Sequence, residues 1–575
     1  MGVSPAVFES AGQRTEHYVP GSYSRSSNVA SPSGVSAGNH VILAKSTGGE
    51  PFQLLSFGSI SDAKDVLVGG DLLKAIGYAF NCSNTYTPQR VFAMRVDPAT
   101  KATLTLSSGP TEIMKLSAWD WGVHCNQLKM KVENGTAANS KKVTVVYKAE
   151  TKVIDDIVRP SLSIKYSGSN NNPLCSVTTT GISLSAVNES SETVDELVCD
   201  WESVPTLEDL VLKINDSGLY VATILDTQSD RPTKELDTYS GLNITEPGTL
   251  YSNMAAFIEA LESIEYIGEV EVISQNTRSV PQNNETYVYF AGGSTQTPSV
   301  SDWNKALEVL QTEDIQIIST PSTDGDVQAL IAAHCSSMSS TQNRKERTCI
   351  LGGAIGIQDA DAITNAKGFN SKLVSYVADS AIARNPLTGA TETISGAMLG
   401  VMAAAMESAM AVSEPLTFKT VNVLGFSKYR TNSNMENMIK NGIMLFNPNP
   451  ENVNEYVCIR AITTYQGNND LISCERSMVR EDLYMNRDLR NRFTTGIGHP
   501  NTDSTSEIIQ TLKDAAAEWA TNNYIIPSES GNVWNIKVRI SGDKVYLTYS
   551  RYLTAPRNFI FITATNHVYE STVEV

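Results

Sequence analysis

The residues best suited to catalysis in this sequence are a serine and a histidine, Ser395 and His334. Ser395 lies at the predicted start of an alanine-rich helix, where a nucleophilic hydroxyl could be exposed. A serine hydrolase needs a base that is held by a carboxylate and lies within hydrogen-bond reach of that hydroxyl. His334 instead falls inside a predicted helix, beside Cys335, with no glycine-rich turn to expose it. We therefore interpret His334 as a helix-surface or core histidine. A cytosolic serine hydrolase with appended β-domains is retained as an alternative function for this chain.

Two other kinds of site find little support in residue spacing. Residues 352–356 (Gly-Gly-Ala-Ile-Gly) follow a predicted strand, but their glycine spacing does not match the dinucleotide-binding pattern G-x-G-x-x-G. The six histidines and eight cysteines include no pair at metal-ligand spacing. We therefore predict no catalytic residues, no cofactor and no metal. The glycines are interpreted as the means of forming a tight turn.

Charge and composition argue against several functional classes. The 575 residues include 44 basic and 62 acidic side chains, a formal charge of −18, which disfavours direct nucleic-acid binding through phosphate contacts. The longest apolar stretch, residues 398–406, is too short to span a bilayer. The first residues lack the basic and apolar regions of a signal peptide. The sequence predicts several packed domains with reduced cysteines and no direct membrane insertion.

The periodicity of apolar residues predicts an α+β multidomain protein. Helices are expected at residues 71–80, with Asp71 as N-cap, and after a capping box formed by Ser299 and Asp302. Because strands and helices alternate, the central part is predicted to contain a mostly parallel sheet with right-handed crossovers. The predicted strands of these α/β segments, including a buried one at 287–290, lie at residues 40–44, 91–96, 287–290, 315–318 and 348–351.

The domain boundaries follow changes in this pattern. Residues 99–285 have short alternating runs broken by turn residues, including a loop at 167–173, so we expect this insertion to face solvent. The segments on either side of it and of the central domain are expected to fold together. The predicted parts are an N-terminal arm (1–28), the N-terminal part of a tube-proximal composite domain (29–98), one or more inserted β-rich outer domains (99–285), a central α/β domain (286–412), the C-terminal part of the composite domain (413–566) and a C-terminal arm strand (567–575).

Both ends of the sequence contain strand-like segments without an obvious partner. Residues 569–575 alternate between two faces after a predicted hairpin at 534–549. Because termini fray unless something holds them, these segments are expected to add as strands to neighbouring molecules. An edge strand that closes the chain's own sheet has about equal weight on sequence alone. The predicted inter-subunit residues are Val7, Phe8, Val568, Tyr569, Val573 and Val575.

The order and spacing of several segments resemble contractile tail sheath proteins of bacteriophages and related injection machines. The segment 91–96 resembles the family's strand ending in Arg-Val, and 118–126 resembles its Gly-x-x-x-Asn segment. The resemblance covers about two-thirds of the sequence and is absent from residues 130–280. The other matching segments are 290–293 through 351–352, 396–400, 442–446 and 460–465.

This resemblance implies a structural protein and not an enzyme. It implies a central domain with a subtilisin-like fold and no protease activity. It also implies a homo-oligomer of sixfold rings, stacked helically around a tail tube protein and bounded by baseplate and tail terminator proteins. Contraction of such a sheath drives the tube through the bacterial envelope for genome delivery. The expected location is the virion, after assembly in the host cytoplasm.

Overall fold

A computed structural model describes residues 38–274, 277–467, 470–499 and 504–568, and the backbone of 6–10 and 13–17. The chain divides into two compact units. We call residues 1–37 with 477–575 the arm-bearing unit, and residues 38–476 the main unit. Of the helices in the described part of the chain, none is both long and apolar enough to cross a membrane.

The secondary structure elements are numbered in chain order. The strands are β1 (Ala6–Ser10), β2 (Gln13–His17), β3 (His40–Ala44), β4 (Leu54–Phe57), β5 (Val91–Arg95), β6 (Ala99–Ser108), β7 (Thr111–Trp121), β8 (Lys129–Asn134), β9 (Lys141–Tyr147), β10 (Glu150–Ile157), β11 (Pro160–Tyr166), β12 (Asn171–Val177), β13 (Gly181–Val187), β14 (Thr193–Asp200), β15 (Tyr220–Ile224), β16 (Tyr239–Asn243), β17 (Gly248–Tyr251), β18 (Ile267–Val272), β19 (Val288–Tyr289), β20 (Ser294–Thr295), β21 (Ile317–Ser319), β22 (Thr348–Gly352), β23 (Val374–Val377), β24 (Ala381–Arg384), β25 (Thr391–Ile394), β26 (Gly425–Phe426), β27 (Ile443–Pro448), β28 (Tyr456–Arg460), β29 (Ile525–Ile526), β30 (Trp534–Ser541), β31 (Lys544–Ser550) and β32 (Tyr552–Leu553). The helices are α1 (Ile60–Leu67), α2 (Gly70–Phe80), α3 (Leu207–Asp216), α4 (Asn253–Glu262), α5 (Val300–Leu310), α6 (Gly325–Met338), α7 (Asp359–Phe369), α8 (Gly396–Ser408), α9 (Asn432–Lys440), α10 (Leu471–Cys474), α11 (Arg476–Thr494) and α12 (Thr505–Thr521).

An eight-stranded sheet forms the centre of the main unit, in the order β28-β27-β23-β22-β21-β3-β5-β4. The strands from β27 to β5 run parallel, and β28 and β4 are antiparallel edge strands. Parallel strands are covered on both faces and read as continuous apolar runs, as β3 does with five buried residues. Helix α8 is buried from Gly396 to Glu407 because it packs within this core. The predicted parallel sheet is confirmed.

Local capping agrees with the sequence at one helix and differs at another. The capping box of Ser299 and Asp302 opens α5, as predicted. Helix α2 begins after Gly69, and Asp71 lies in its first turn, so the prediction that Asp71 is the N-cap is wrong. An aspartate in the first turn still stabilises the helix through the macrodipole, which explains why either position suits it.

The domain boundaries in the structure differ from those expected from the sequence. Strand β3, from the segment expected to join residues 413–566, pairs in parallel with both β5 and β21. The expected central and composite domains therefore share one sheet. The division between units instead falls after residue 476. Pairing between strands more than 270 residues apart is set by tertiary contacts that local periodicity does not encode.

Residues 99–295 form two antiparallel domains. The proximal β-domain, built by residues 99–159 and 253–295, has a core that includes Leu116, Met130, Val145, Phe257 and Phe290. Its sheets have the orders β18-β7-β6-β20 and β10-β9-β8-β19. The predicted buried strand at 287–290 is wrong in part: β19 is a short edge strand on β8, Tyr289 is 56% exposed, and only Phe290 is buried. An edge strand leaves one side open to solvent.

The distal β-domain, residues 160–252, has a core of its own that includes Leu162, Leu184, Leu207 and Tyr220. Its sheets have the orders β15-β11-β17 and β14-β13-β12-β16, and α3 packs beside β15. The predicted loop at 167–173 is shorter than expected, because β12 begins at Asn171.

Two chain segments connect the distal β-domain to the proximal β-domain. The Ser161 and Ser252 hydroxyls are 2.7 Å apart between these segments. Arg159 donates two hydrogen bonds to the Glu259 carboxylate, at 2.9 and 2.5 Å, and Arg231 donates another at 3.0 Å. Since Arg231 belongs to the distal domain and Glu259 to α4 of the proximal domain, this network fixes how the two domains meet.

The arm-bearing unit contains α11, α12 and the β30–β31 hairpin. Its core includes Met485, Leu512, Ala516, Trp519 and Ile525. The predicted hairpin is confirmed, with Val538 opposite Leu547 and Arg539 opposite Tyr546. Strand β29, which follows α12, and strand β32, which follows the hairpin, form a second antiparallel pair.

Candidate functional site

Ser395 begins helix α8 in the structure. Its Oγ accepts a hydrogen bond from the Met398 N–H at 3.1 Å, and its backbone is extended, so it is the N-cap. A serine in this position satisfies one of the N–H groups that the first helical turn leaves without a partner. The nucleophile considered from the sequence is therefore a helix-capping residue.

His334 lies on α6, and its surroundings are unsuitable for a general base. Its Nε2 is 2.9 Å from Arg347 Nη1, which also donates to the Leu310 carbonyl. Burial, and then the Arg347 charge, lower the pKa of His334 to about 4. A catalytic imidazole needs a carboxylate to stabilise its charged form, whereas a guanidinium opposes that charge. Across the described residues, no hydrogen bond joins His334 to Ser395.

The glycines at 352–356 serve packing and turn formation. Gly356 has φ of 73°, in the left-handed region that favours glycine. A Cβ on Gly352 would come within 2.4 Å of the Gly396 backbone at the start of α8. Close contact between β22 and α8 therefore accounts for Gly352, whereas Gly356 agrees with the interpretation of this segment as a tight turn.

One buried cluster brings together a carboxylate, an imidazole and a thiol that the sequence analysis did not consider as a site. His124 Nε2 lies 3.0 Å from Asp120 Oδ2 and 3.4 Å from Cys125 Sγ. Because one nitrogen contacts both neighbours, the imidazole cannot relay a proton between its two nitrogens as in a triad. Burial raises the pKa of Cys125 to about 12, so its thiol stays protonated and unreactive. No set of three metal-ligating side chains occurs among the described residues.

The structure describes part of the residues predicted to bind neighbouring molecules. Val7 and Phe8 lie in β1, which pairs with β2, opposite Glu16 and Thr15 respectively. Val568 is 88% exposed. Tyr569, Val573 and Val575 lie outside the described residues. The role of all six residues stays a prediction.

An exposed apolar segment before these arm residues was missed in the sequence. Phe559, Ile560, Phe561 and Ile562 are 66 to 91% exposed. The Phe559 and Phe561 rings stack with centroids 6.3 Å apart, as side chains two residues apart do in an extended chain. Four adjacent apolar side chains in solvent are typical of a surface that binds another molecule. The apolar run itself was the available signal.

The β30–β31 hairpin is a two-stranded sheet. In the described part of the chain, neither strand pairs with a third strand. Ile536, Leu547 and Tyr549 pack against the core of the unit, so one face of the hairpin is covered. Its outer edges carry backbone donors and acceptors that an added strand could use.

Known proteins match this chain over most of its length. No protein-family model matches it. The sequence is 24% identical to the tail sheath protein of Bacillus phage SP01 over 573 residues, covering 96% of this chain and 95% of that relative. It is 22% identical to the tail sheath protein of Staphylococcus phage Twort over 484 residues, covering 78% and 80% of the two chains.

The fold is also that of solved sheath proteins. The crystal structure of a sheath tail protein from Desulfitobacterium hafniense matches 93% of this chain and 100% of that one, with a TM-score of 0.55 and 12% identity. A sheath tail protein from Listeria innocua matches 90% and 96%, with a TM-score of 0.54 and 12% identity. The chain is therefore a relative of phage tail sheath proteins with the fold of solved sheath tail proteins, as its sequence resemblance indicated.

Proposed function

We propose that this protein is the structural subunit of a contractile phage tail sheath. The observation that carries the proposal is the similarity to a phage tail sheath protein over 96% of the chain. The subunits polymerise as helically stacked sixfold rings around a tail tube, between baseplate and tail terminator proteins. Contraction drives the tube through the bacterial envelope for genome delivery. The protein belongs to the virion and assembles in the host cytoplasm.

The proposal assigns no catalytic role to the subunit. The serine hydrolase alternative loses its basis because Ser395 caps a helix and His334 faces Arg347. The part of the eight-stranded sheet within residues 286–412 corresponds to the subtilisin-like domain implied by the resemblance. Its parallel strands β21, β22 and β23 support that assignment.

Strand exchange between subunits holds the lattice together in this proposal. The arm residues, extended by Phe559–Ile562, add to the open edges of the β30–β31 hairpin of a neighbouring copy. Backbone hydrogen bonds supply the affinity of such an added strand, and its alternating side chains supply the register. A heterologous contact that does not close on itself builds a helical array. Because added strands join the subunits, whole subunits can rotate during contraction while the lattice stays connected.

Electron microscopy of the purified chain tests the proposal directly. We expect rings or tubes, and compact monomeric particles at every concentration would contradict it. Labelling with a serine-reactive probe should give no signal at Ser395. As a matched check, Ser395→Ala should cost about 1 kcal/mol of stability through the lost cap, and His334→Ala should leave assembly unchanged. Hydrolytic turnover that disappears in either variant would restore the hydrolase alternative.

A further inference from the structure

The solvent face of the β30–β31 hairpin is basic. Side chains alternate between the two faces of a strand, so the residues between those that pack on the core point outward. Lys537, Arg539 and Lys544 are all exposed, as are Tyr546 and Thr548. The only acidic residue of the hairpin is Asp543, in its turn.

None of these three basic side chains forms an ion pair with any described residue. Arg539 is held in place from across the hairpin, because its guanidinium lies 4.0 Å from the centre of the Tyr546 ring. This cation–π contact orients the guanidinium without neutralising it. Lys537 and Arg539 are two residues apart on one strand, which separates their side chains by roughly 7 Å. The face thus presents ordered positive charges with no partner in the described part of the chain.

The charge of the chain is divided very unevenly between the two units. The arm-bearing unit contains 12 basic and 13 acidic residues, a net charge of −1, whereas the main unit contains 32 and 49, a net charge of −17. The distal β-domain accounts for −10 of this charge, and the rest of the main unit, with 28 basic and 35 acidic residues, accounts for −7. Acidic surface available to a neighbouring molecule therefore comes mostly from main units, outside the distal β-domain as well as within it. Opposite charges on two surfaces accelerate their encounter and select the correct register.

We propose that the basic face of the β30–β31 hairpin docks on an acidic surface of the main unit of a second copy of this chain. The inference rests on the proposed sheath function and adds to it a second contact on the hairpin. Strands from neighbours add at its edges, and the face meets carboxylates of another copy. Exposed ion pairs contribute little affinity each, so the face mainly sets the rate and register of assembly.

Charge reversal at the hairpin tests this contact. The double variant Lys537→Glu/Arg539→Glu and the single variant Lys537→Glu are compared with Lys513→Glu, which reverses an exposed charge on α12 of the same unit. Circular dichroism should show that all variants fold like the wild type, since the three side chains contact solvent. Light scattering then follows assembly of each purified full-length chain between about 50 and 500 mM NaCl, where screening of exposed charges increases.

We expect wild-type and Lys513→Glu chains to assemble at similar rates at low salt and more slowly at high salt. The double variant should assemble at least about tenfold more slowly at low salt, with little further dependence on salt, and Lys537→Glu should lie between. Wild-type tubes together with a double variant that assembles at the wild-type rate would overturn this inference alone. Normal self-assembly of the double variant with lost binding to tail tube would also overturn it, because the partner would then be the tube. A wild-type chain that forms neither rings nor tubes would instead overturn the proposed function, and this inference with it.

Discussion

The distal β-domain and the β30–β31 hairpin are both built from antiparallel strands, but their exposed strand edges differ. On edge strand β15, Asn215 Nδ2 donates to the Ala222 carbonyl at 3.1 Å, and Asn215 Oδ1 accepts from the Ala222 N–H at 2.7 Å. On edge strand β14, a break in register accompanies Asp195, whose φ is 55°. Asp195 also accepts hydrogen bonds from Tyr166 and Asn170. Side chains and bulges of this kind prevent another strand from pairing.

Among the described residues of the hairpin, one register break of this kind occurs, between Trp534 and Lys537, where Asn535 has φ of 53°. From Lys537 to the turn, the two strands pair in unbroken register. In the described part of the chain, the hairpin strands pair only with each other, and the nearby Phe559–Ile562 side chains lie in solvent. The distal β-domain and the hairpin also differ in net charge. The distal β-domain has 14 acidic and 4 basic residues, a net charge of −10, which makes its copies repel one another. In our proposal, the contacts made by strand addition are therefore concentrated in the arm-bearing unit and not at the edges of the distal domain.

Removing the C-terminal arm should have the largest effect on assembly. Deletion of residues 567–575 is expected to leave a soluble, folded monomer that no longer polymerises, because the hairpin edges lose the strand that joins subunits. Analytical ultracentrifugation and electron microscopy measure the outcome. Deletion of the whole distal domain between Arg159 and Asn253 is the contrasting variant and should still form tubes. Normal tubes from the arm deletion would contradict strand exchange.

Limited trypsin digestion compares the two regions within one sample. Lys537, Arg539 and Lys544 are exposed in the single chain, as are Lys165 and Lys213 of the distal domain. In assembled sheath, cleavage should concentrate within residues 99–285 and spare 440–575, because the proposed contacts between subunits cover the C-terminal part of the chain and leave the insertion exposed. Digestion of the unassembled chain is the control, and both regions should then be cut. Protection of the insertion with cutting in the hairpin would reverse the proposed orientation.

Sequence reasoning was accurate for local features. The capping box at Ser299 and Asp302, the β30–β31 hairpin and the parallel crossovers all depend on residues close together in sequence, where periodicity and capping chemistry act. Ser395 was correctly placed at a helix start for the same reason. Its role as the cap is also local, through the Met398 N–H, whereas the pairing of the distant His334 with Arg347, which removes the base that a nucleophile would need, follows from no local pattern.

Apart from the N-cap of α2, which is Gly69 and not Asp71, the main errors concern contacts between distant segments. The pairing of β3 with β21 joins two segments that composition separated, and Tyr287–Phe290 was read as buried although β8 covers only one edge of β19. Whether an edge is closed depends on a single side chain such as Asn215, seven residues from the Ala222 it protects. A strand pattern looks the same with or without that protection, so open and closed edges become visible only in three dimensions.

The distal β-domain and the arm-bearing unit each contain a buried carboxyl group whose raised pKa makes stability depend on pH. Asp237 of the distal domain accepts hydrogen bonds from the Asn253 and Met254 N–H groups, and burial raises its pKa to about 6. Glu481 of α11 is fully buried, and among the described residues neither of its oxygens has a hydrogen-bond partner at ordinary distance and angle. Burial raises its pKa to about 9, against the opposing influence of the Thr554 N–H and the Arg480 and Arg551 charges.

The arm-bearing unit should therefore lose stability as pH rises. The pKa of Glu481 is higher in the folded state than its usual 4.5, so its contribution is most favourable below about pH 4.5 and declines toward pH 9. Denaturant unfolding at several pH values should show this slope in the wild type. Glu481→Gln removes the titration, so we expect a flatter profile and a gain of about 1–3 kcal/mol at pH 8. If the wild-type and Glu481→Gln profiles have the same slope, Glu481 does not titrate in this range because it has a partner in solution.

The smallest expected effect comes from opening an edge that is now closed. Asn215→Ala removes both hydrogen bonds to Ala222, at a cost of about 1 kcal/mol because water replaces them at an exposed edge. The freed edge of β15 should then allow weak, concentration-dependent self-association of the soluble chain, measured by light scattering under conditions that prevent sheath assembly.

Gln228→Ala, which removes an exposed amide elsewhere in the same domain, is the matched control. Asn215→Asp keeps the acceptor and adds a charge at the edge, so it should lose a similar amount of stability without self-association. Self-association in both Asn215 variants would attribute the effect to lost stability, and its absence in both would show that net charge alone keeps the distal domains apart.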